Sequence, residues 1–170
     1  MGTGKKVLFV GLVCLSTVLL ATVMGAVLKM YEERPFRVHG DATVLIDWAN
    51  PQTDADGRAF VTWTTTGLRV CTEGWFKDSG AGVLYLDTLI AEGSGECCEC
   101  NGDTLAWEST EHFGSNHVTV KLVGGTGQFE GAHSQYELDY TPLVTELDDE
   151  GNPIKLIYSF WGEGKMGLVR

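Results

Sequence analysis

The residues best suited to covalent or metal chemistry are four cysteines, three of which lie in one short segment. Cys97, Cys98 and Cys100 belong to the sequence Glu-Cys-Cys-Glu-Cys, and Cys71 precedes them. Four cysteines in an oxidising compartment most often form two disulfides. Because a bond between adjacent cysteines is strained, we predict that Cys71 pairs with Cys97 or Cys98. Cys100 would pair with the other of these two or with Cys71.

Metal binding is the alternative use of the same segment. Thiolates could ligate zinc or iron, but no second Cys-x-x-Cys pair is present, so the spacing matches no standard zinc or iron–sulfur site. Glu111, His112 and His117 could also form a metal site or an acid–base pair. Residues of this kind are more often surface groups at strand ends. We therefore predict no metal, no cofactor and no catalytic residue.

Two aspartates could act as general acids if they point into an apolar interior. Burial of a carboxyl group raises its pKa and lets it donate a proton near neutral pH. Asp87 shares its alternation with Val83 and Tyr85, so an inward position is open to it. Asp47 alternates with Trp48 and is predicted to lie on the opposite face.

The elements that would position these side chains are β-strands. Residues 38–48 and 132–140 alternate between apolar and polar side chains, as half-buried strands do. Further strands are predicted over 59–66, 83–90, 104–109, 117–123 and 154–162, with a turn at 80–82. Seven or eight strands separated by turn residues indicate an all-β sandwich or barrel. Closing the sheet hides its edges, which favours the barrel.

One glycine-rich turn has the sequence Val-Gly-Gly-Thr-Gly-Gln-Phe-Glu-Gly-Ala over residues 123–132. It resembles the Gly-Gly-Thr-Gly-x-Phe-x-Gly-Ala signature of the allene oxide cyclase-like and dirigent-like barrels. The resemblance implies an antiparallel, eight-stranded, lipocalin-like barrel. Gly124, Gly125, Gly127 and Gly131 would permit a tight turn and close strand approach. Phe129 would tuck under the end of the barrel.

The same resemblance implies a possible use for the interior, because enzymes of these families steer reactive apolar intermediates inside the barrel. An eight-stranded barrel is just wide enough to be filled by side chains or to hold one small ligand. The many large residues expected inside favour a filled barrel. If the barrel is open, the predicted ligand-binding residues are Trp48, Asp87, Tyr136 and Tyr140.

Ahead of the strands lies an apolar run, residues 7–28, without a charged residue. A helix over this run would reach ~33 Å, enough to cross a bilayer core of ~30 Å. A cleaved signal peptide has a shorter core and a better cleavage site than residues 23–26 supply. We predict a cytoplasmic tail over 1–6, a transmembrane helix over 7–28, a linker over 29–36 and a barrel domain over 37–170. Lys5 and Lys6 favour a cytoplasmic N-terminus and a periplasmic or extracellular barrel.

The charge balance excludes one class of partner. Residues 1–30 hold three of the 12 basic residues and none of the 23 acidic ones, so residues 31–170 carry a net charge of −14. Such a surface repels nucleic acid. The main hypothesis is a membrane-anchored accessory or structural subunit of an integral membrane protein complex, with the barrel making protein contacts. Respiratory and photosynthetic complexes carry such subunits. The alternative is a cavity enzyme or small apolar-ligand binder of the allene oxide cyclase or dirigent type.

Overall fold

Eight antiparallel strands form a closed barrel in the computed structural model, which describes residues 31–169. Each strand pairs with the next, and β8 also pairs with β1. The predicted eight antiparallel strands are therefore confirmed. The strands are β1 (Tyr31–Thr53), β2 (Ala59–Cys71), β3 (Gly74–Tyr85), β4 (Ile90–Glu99), β5 (Thr104–His112), β6 (His117–Gly125), β7 (Ser134–Leu147) and β8 (Pro153–Val169).

Alternate residues of each strand face the interior, as the pleat of a β-strand requires. On β6 the inward residues Val120 and Leu122 are buried, as are Tyr136 and Leu138 on β7. Their neighbours Lys121 and the other intervening residues face outwards. Apolar alternation in the sequence therefore identifies the inner face of these strands.

The two ends of the barrel differ in how they are closed. At the end that carries the β2–β3, β4–β5 and β6–β7 connections, Phe36, Phe76, Phe129 and Met166 are each at most 1% exposed. We call this the plugged end. Phe129 belongs to a short 3₁₀ helix, Gly127–Phe129, and its ring lies 5.5 Å from that of Phe76. The opposite end, with the β1–β2, β3–β4, β5–β6 and β7–β8 connections, is called the open end.

The glycine-rich turn at residues 123–132 delivers Phe129 to the plugged end. Gly127 and Gly131 have φ of +58° and +70°, a region that side chains with a Cβ rarely adopt. A Cβ on Gly125 would lie 2.4 Å from the carbonyl oxygen of Thr104. The backbone of this connection therefore depends on glycine at several positions.

One predicted turn and one predicted strand are wrong in their positions. The predicted turn at 80–82 lies inside β3, and the predicted strand over 83–90 is interrupted by the β3–β4 turn. Leu89 in that turn has a φ of +56°. Glycine at positions 80 and 82 lets the rings of Trp107 and Trp63 pack against the strand backbone inside the barrel. It does not mark a reversal of the chain.

The predicted membrane-spanning helix at 7–28 and the tail at 1–6 lie outside the described residues. Within 31–169, no helix combines the length and the apolar character needed to cross a bilayer. The predicted linker at 29–36 overlaps the start of β1, which begins at Tyr31.

Candidate functional site

A cavity lies inside the barrel and extends from its middle to the open end. The space open to the centres of water molecules is about 100 Å³. Because one water needs about 10–15 Å³ by this measure, the cavity has room for several waters or one small organic molecule. Pro142, at its outer edge, is exposed to solvent. Six aromatic residues contribute to its lining: Trp63, Trp107, Phe113, Tyr140, Tyr158 and Phe160.

The cavity exists because two neighbouring strands present glycine to the interior. A Cβ on Gly80 would lie 2.5 Å from the indole ring of Trp107, and one on Gly93 would lie 2.2 Å from that of Trp63. The two rings therefore lie against strand backbone instead of crossing the lumen. The prediction of a filled barrel, based on the large residues alone, was wrong for this reason.

A buried ion pair forms the floor of the cavity. Arg69 Nη2 donates to Asp78 Oδ2 at 2.6 Å, and Arg69 Nη1 donates to the Tyr136 hydroxyl at 3.1 Å. Asp78 Oδ1 accepts from Trp107 Nε1 at 2.8 Å and from the Cys97 thiol at 3.4 Å. Burial lowers the pKa of Arg69, but Tyr136, Cys97 and Asp78 outweigh this effect and hold it above its ordinary value. The guanidinium therefore stays charged.

Glu111 supplies a second acidic group to the cavity, nearer to the open end. Burial raises the pKa of its carboxyl group to about 7, although a hydrogen bond with Tyr140 acts in the opposite direction. Burial and the nearby Glu111 also raise the pKa of the Tyr140 hydroxyl. The rings of Tyr140 and Tyr158 lie 5.1 Å apart. The arrangement places a carboxyl group that titrates near neutral pH beside two phenols in a mostly apolar cavity.

The ligand-binding residues predicted from sequence fall in different places. Tyr140 lines the cavity, whereas Tyr136 lies beneath its floor, in contact with Arg69. Trp48 packs near the open end and donates from Nε1 to the Pro153 carbonyl, but it is not part of the lining. Asp87 lies exposed in the β3–β4 turn. Of the four predicted residues, the structure therefore places only Tyr140 in the lining of the cavity.

Cys71, Cys97, Cys98 and Cys100 are free thiols, so the two predicted disulfides are not found among the described residues. Cys71 and Cys97 both face the interior but lie on β2 and β4, which β3 separates. Two strand spacings amount to ~10 Å, beyond the reach of a disulfide. Cys98 faces outwards from β4, and Cys100 lies in the β4–β5 connection. Both thiols are exposed.

The residues proposed for a metal site or an acid–base pair do not come together in the structure. Glu111 faces the interior, whereas His117 lies outside and contacts Asp139 at 2.8 Å and Glu137 at 3.2 Å. Those two carboxylates raise the pKa of His117. Over residues 31–169, no three His, Cys, Asp or Glu side chains are grouped closely enough to hold a metal ion.

Sequence reasoning missed Arg69 and Asp78 as site residues, and it considered Glu111 only as a partner of His112 and His117. Glu111 shares its alternation on β5 with the buried Leu105 and Trp107, so the same pattern that marked Asp87 could have marked it. Arg69 and Asp78 gave no comparable signal, because both faces of β2 are mixed and β3 contains glycines. Their pairing depends on strand register, where Asp78 lies opposite Gly67.

Comparisons with known proteins bear on the fold. No protein-family model matches the chain, and no curated protein matches it. The pterocarpan synthase dirigent protein GePTS1 has a similar structure, with a TM-score of 0.53 and 14% sequence identity, over 85% of this chain and 96% of that one. The pterocarpan synthase dirigent protein PsPTS1 gives a TM-score of 0.42 and 11% identity, over 79% of this chain and 95% of that one. At 14% identity, the likeness to GePTS1 shows a shared fold alone.

Proposed function

We propose that this protein binds a small, largely apolar molecule inside its barrel, as a cavity enzyme or ligand binder of the dirigent or allene oxide cyclase type. The observation that carries the proposal is the aromatic cavity with a few convergent polar groups, the usual composition of a small-molecule site. The fold shared with a dirigent protein supports it. The alternative drawn from the sequence is thereby favoured over the accessory-subunit hypothesis.

Glu111 is the group through which such a site would exchange a proton with its ligand. A general acid or base works best when its pKa lies near the working pH, and that of Glu111 is raised to about 7. Tyr140 contacts this carboxyl group and would orient it. If the protein is an enzyme, we expect proton transfer at Glu111.

A cavity-filling substitution tests the proposal. Ala91 lines the cavity and is 8% exposed, so Ala91→Leu places extra carbon atoms in the ligand's volume. We expect this variant to bind a small aromatic hydrocarbon such as α-methylstyrene at least about tenfold more weakly than the unmodified chain. Ala81→Leu is the matched control, because Ala81 is exposed on the outer face of β3. Equal affinities of the two variants would refute an interior site.

Membrane anchoring stays a separate proposal. It is supported by the uncharged run at 7–28 and is compatible with ligand binding by the barrel. Alkaline carbonate extraction of native membranes tests it: an anchored chain stays in the pellet, and a peripheral or secreted one is released. The proposal that the partner is a membrane protein complex rests only on the uncharged run at 7–28.

A further inference from the structure

The guanidinium of Arg69 has more hydrogen-bond donors than its protein neighbours satisfy. An arginine carries five N–H groups, and Arg69 makes one bond to Asp78 and one to Tyr136. Its Nε is buried and has no partner among the described residues. Buried donors without acceptors are rare in native proteins and call for an explanation. Arg69 lines the cavity, so an acceptor atom of a bound molecule can approach its guanidinium from that side.

Asp78 is better supplied with hydrogen-bond partners than Arg69. One carboxylate oxygen accepts from Arg69, and the other accepts from Trp107 and Cys97. Both oxygens are therefore occupied by protein donors. The floor of the cavity presents donors to a ligand, and the group that it selects is an acceptor.

The charges around the cavity favour a neutral acceptor over an anion. The charged residues in its lining are Arg69, Asp78 and Glu111. Asp78 already balances Arg69, so a carboxylate on the ligand would add an uncompensated negative charge to an apolar space, which is strongly disfavoured. A ketone or ether oxygen accepts the same hydrogen bonds without that cost.

Stability alone gives no reason for the ion pair. Replacing a buried ion pair with apolar residues of similar size is often neutral or stabilising. Arg69 is nevertheless held in a defined position: its guanidinium carbon lies 5.5 Å from the ring of Phe160 and 5.9 Å from that of Trp107. Two aromatic rings and two hydrogen bonds fix the direction of its remaining donors, as a binding group requires.

We propose that the cavity takes a neutral, mostly apolar molecule whose ketone or ether oxygen is bound at the floor by the guanidinium of Arg69. The inference rests on the proposed function and adds to it the chemical class and the orientation of the ligand. The oxygen lies innermost, and the opposite end of the molecule lies towards Glu111 and the open end.

Two nearly isosteric probes test the inference by titration calorimetry of the full chain. Acetophenone and α-methylstyrene differ only in a carbonyl oxygen against a methylene group. We expect acetophenone to bind at least about tenfold more tightly, the effect of one hydrogen bond to a charged donor. Equal affinities would overturn the inference and leave the proposed function standing. Absence of binding by both probes would overturn both.

A paired substitution locates the preference. Arg69→Met together with Asp78→Leu removes both charges without leaving one unpaired. We expect the double variant to lose the preference for acetophenone over α-methylstyrene, read as the ratio of the two affinities in the same variant. A preference that survives the double substitution would contradict the assignment to Arg69.

The unmodified chain supplies two further readouts that need no substitution. The ¹³C resonance of carbonyl-labelled acetophenone moves downfield when the oxygen accepts a hydrogen bond, so we expect a downfield shift on binding. Binding without that shift would overturn the inference. Benzoate, which has a carboxylate in place of the ketone, is expected to bind more weakly than acetophenone at pH 8. Tighter binding of benzoate would overturn the neutral class of ligand.

Discussion

Substitution of Glu111 by glutamine should change how the stability of the protein depends on pH. In the folded state, burial raises the pKa of this carboxyl group from 4.5 to about 7. Between these two values the folded state binds more protons than the unfolded state. The contribution of Glu111 to stability is therefore fully present below about pH 4.5 and is lost as the pH rises through about 7.

The size of the effect follows from the same shift. Each pKa unit corresponds to about 1.4 kcal/mol, so ionisation of Glu111 should lower the free energy of unfolding by at most about 3 kcal/mol between pH 4.5 and pH 8. Glu111→Gln cannot ionise and lacks this loss. At pH 8 the variant should approach or exceed the unmodified chain in its free energy of unfolding. At pH 4.5, where Glu111 is protonated, the variant should compare less favourably with the unmodified chain.

Urea unfolding of the full chain at a series of pH values from 4.5 to 8 measures this difference. Glu108→Gln is the matched control, because Glu108 lies on the same strand but faces outwards and is exposed. The control should follow the pH dependence of the unmodified chain. If Glu111→Gln also follows it within about 0.5 kcal/mol, Glu111 is not buried in an apolar cavity and the reasoning fails.

Three further predictions concern the ion pair at the floor of the cavity, the glycine at position 80 and the four thiols. Arg69→Met alone should cost about 3–5 kcal/mol of unfolding free energy, because it leaves Asp78 buried without its partner. The double variant with Asp78→Leu should be as stable as the unmodified chain or more stable. Equal losses in both variants would contradict the ion pair. Gly80→Ala should cost about 1–3 kcal/mol, because its Cβ would clash with Trp107, and chemical denaturation should show a much smaller loss for the outward Ser79→Ala. Alkylation without reduction, read by mass spectrometry, should label the two exposed cysteines rapidly in the native protein and the two buried ones only after unfolding; a disulfide-linked peptide between any of the four would contradict the structure.

Alternation of side chains was enough to predict much of the barrel wall. Residues 132–140 and 117–123 alternate cleanly, and β6 and β7 bury Val120, Leu122, Tyr136 and Leu138 as that pattern requires. The pattern succeeds there because one face of each strand meets the core and the other meets water. It works without knowledge of which strands are neighbours.

The glycines of β3 and β4 show where local pattern fails. Glycine at 80 and 82 indicates a turn when only neighbouring residues are considered. Glycine is needed at these positions because the rings of Trp63 and Trp107, from other strands, pack on that backbone. The cavity depends on this long-range packing, which is why a filled interior was predicted from residue sizes.

The candidate site could be predicted only in part for a related reason. Tyr140 and Glu111 lie on faces that alternation identifies, so both were accessible to sequence reasoning. Arg69 and Asp78 become neighbours through the register of β2 and β3, which alternation does not determine. The disulfide prediction failed on the same point, since β3 separates Cys71 from Cys97.

A crystal structure of the protein soaked with iodobenzene would test the central claim most directly. The anomalous signal of iodine locates the molecule without any assumption about its natural ligand. We predict a peak inside the barrel, among Trp63, Val120 and Tyr140, which line the cavity. Absence of an interior peak, with iodine bound only on the outer surface beside exposed residues such as Trp75 or Trp161, would contradict a ligand site in the barrel.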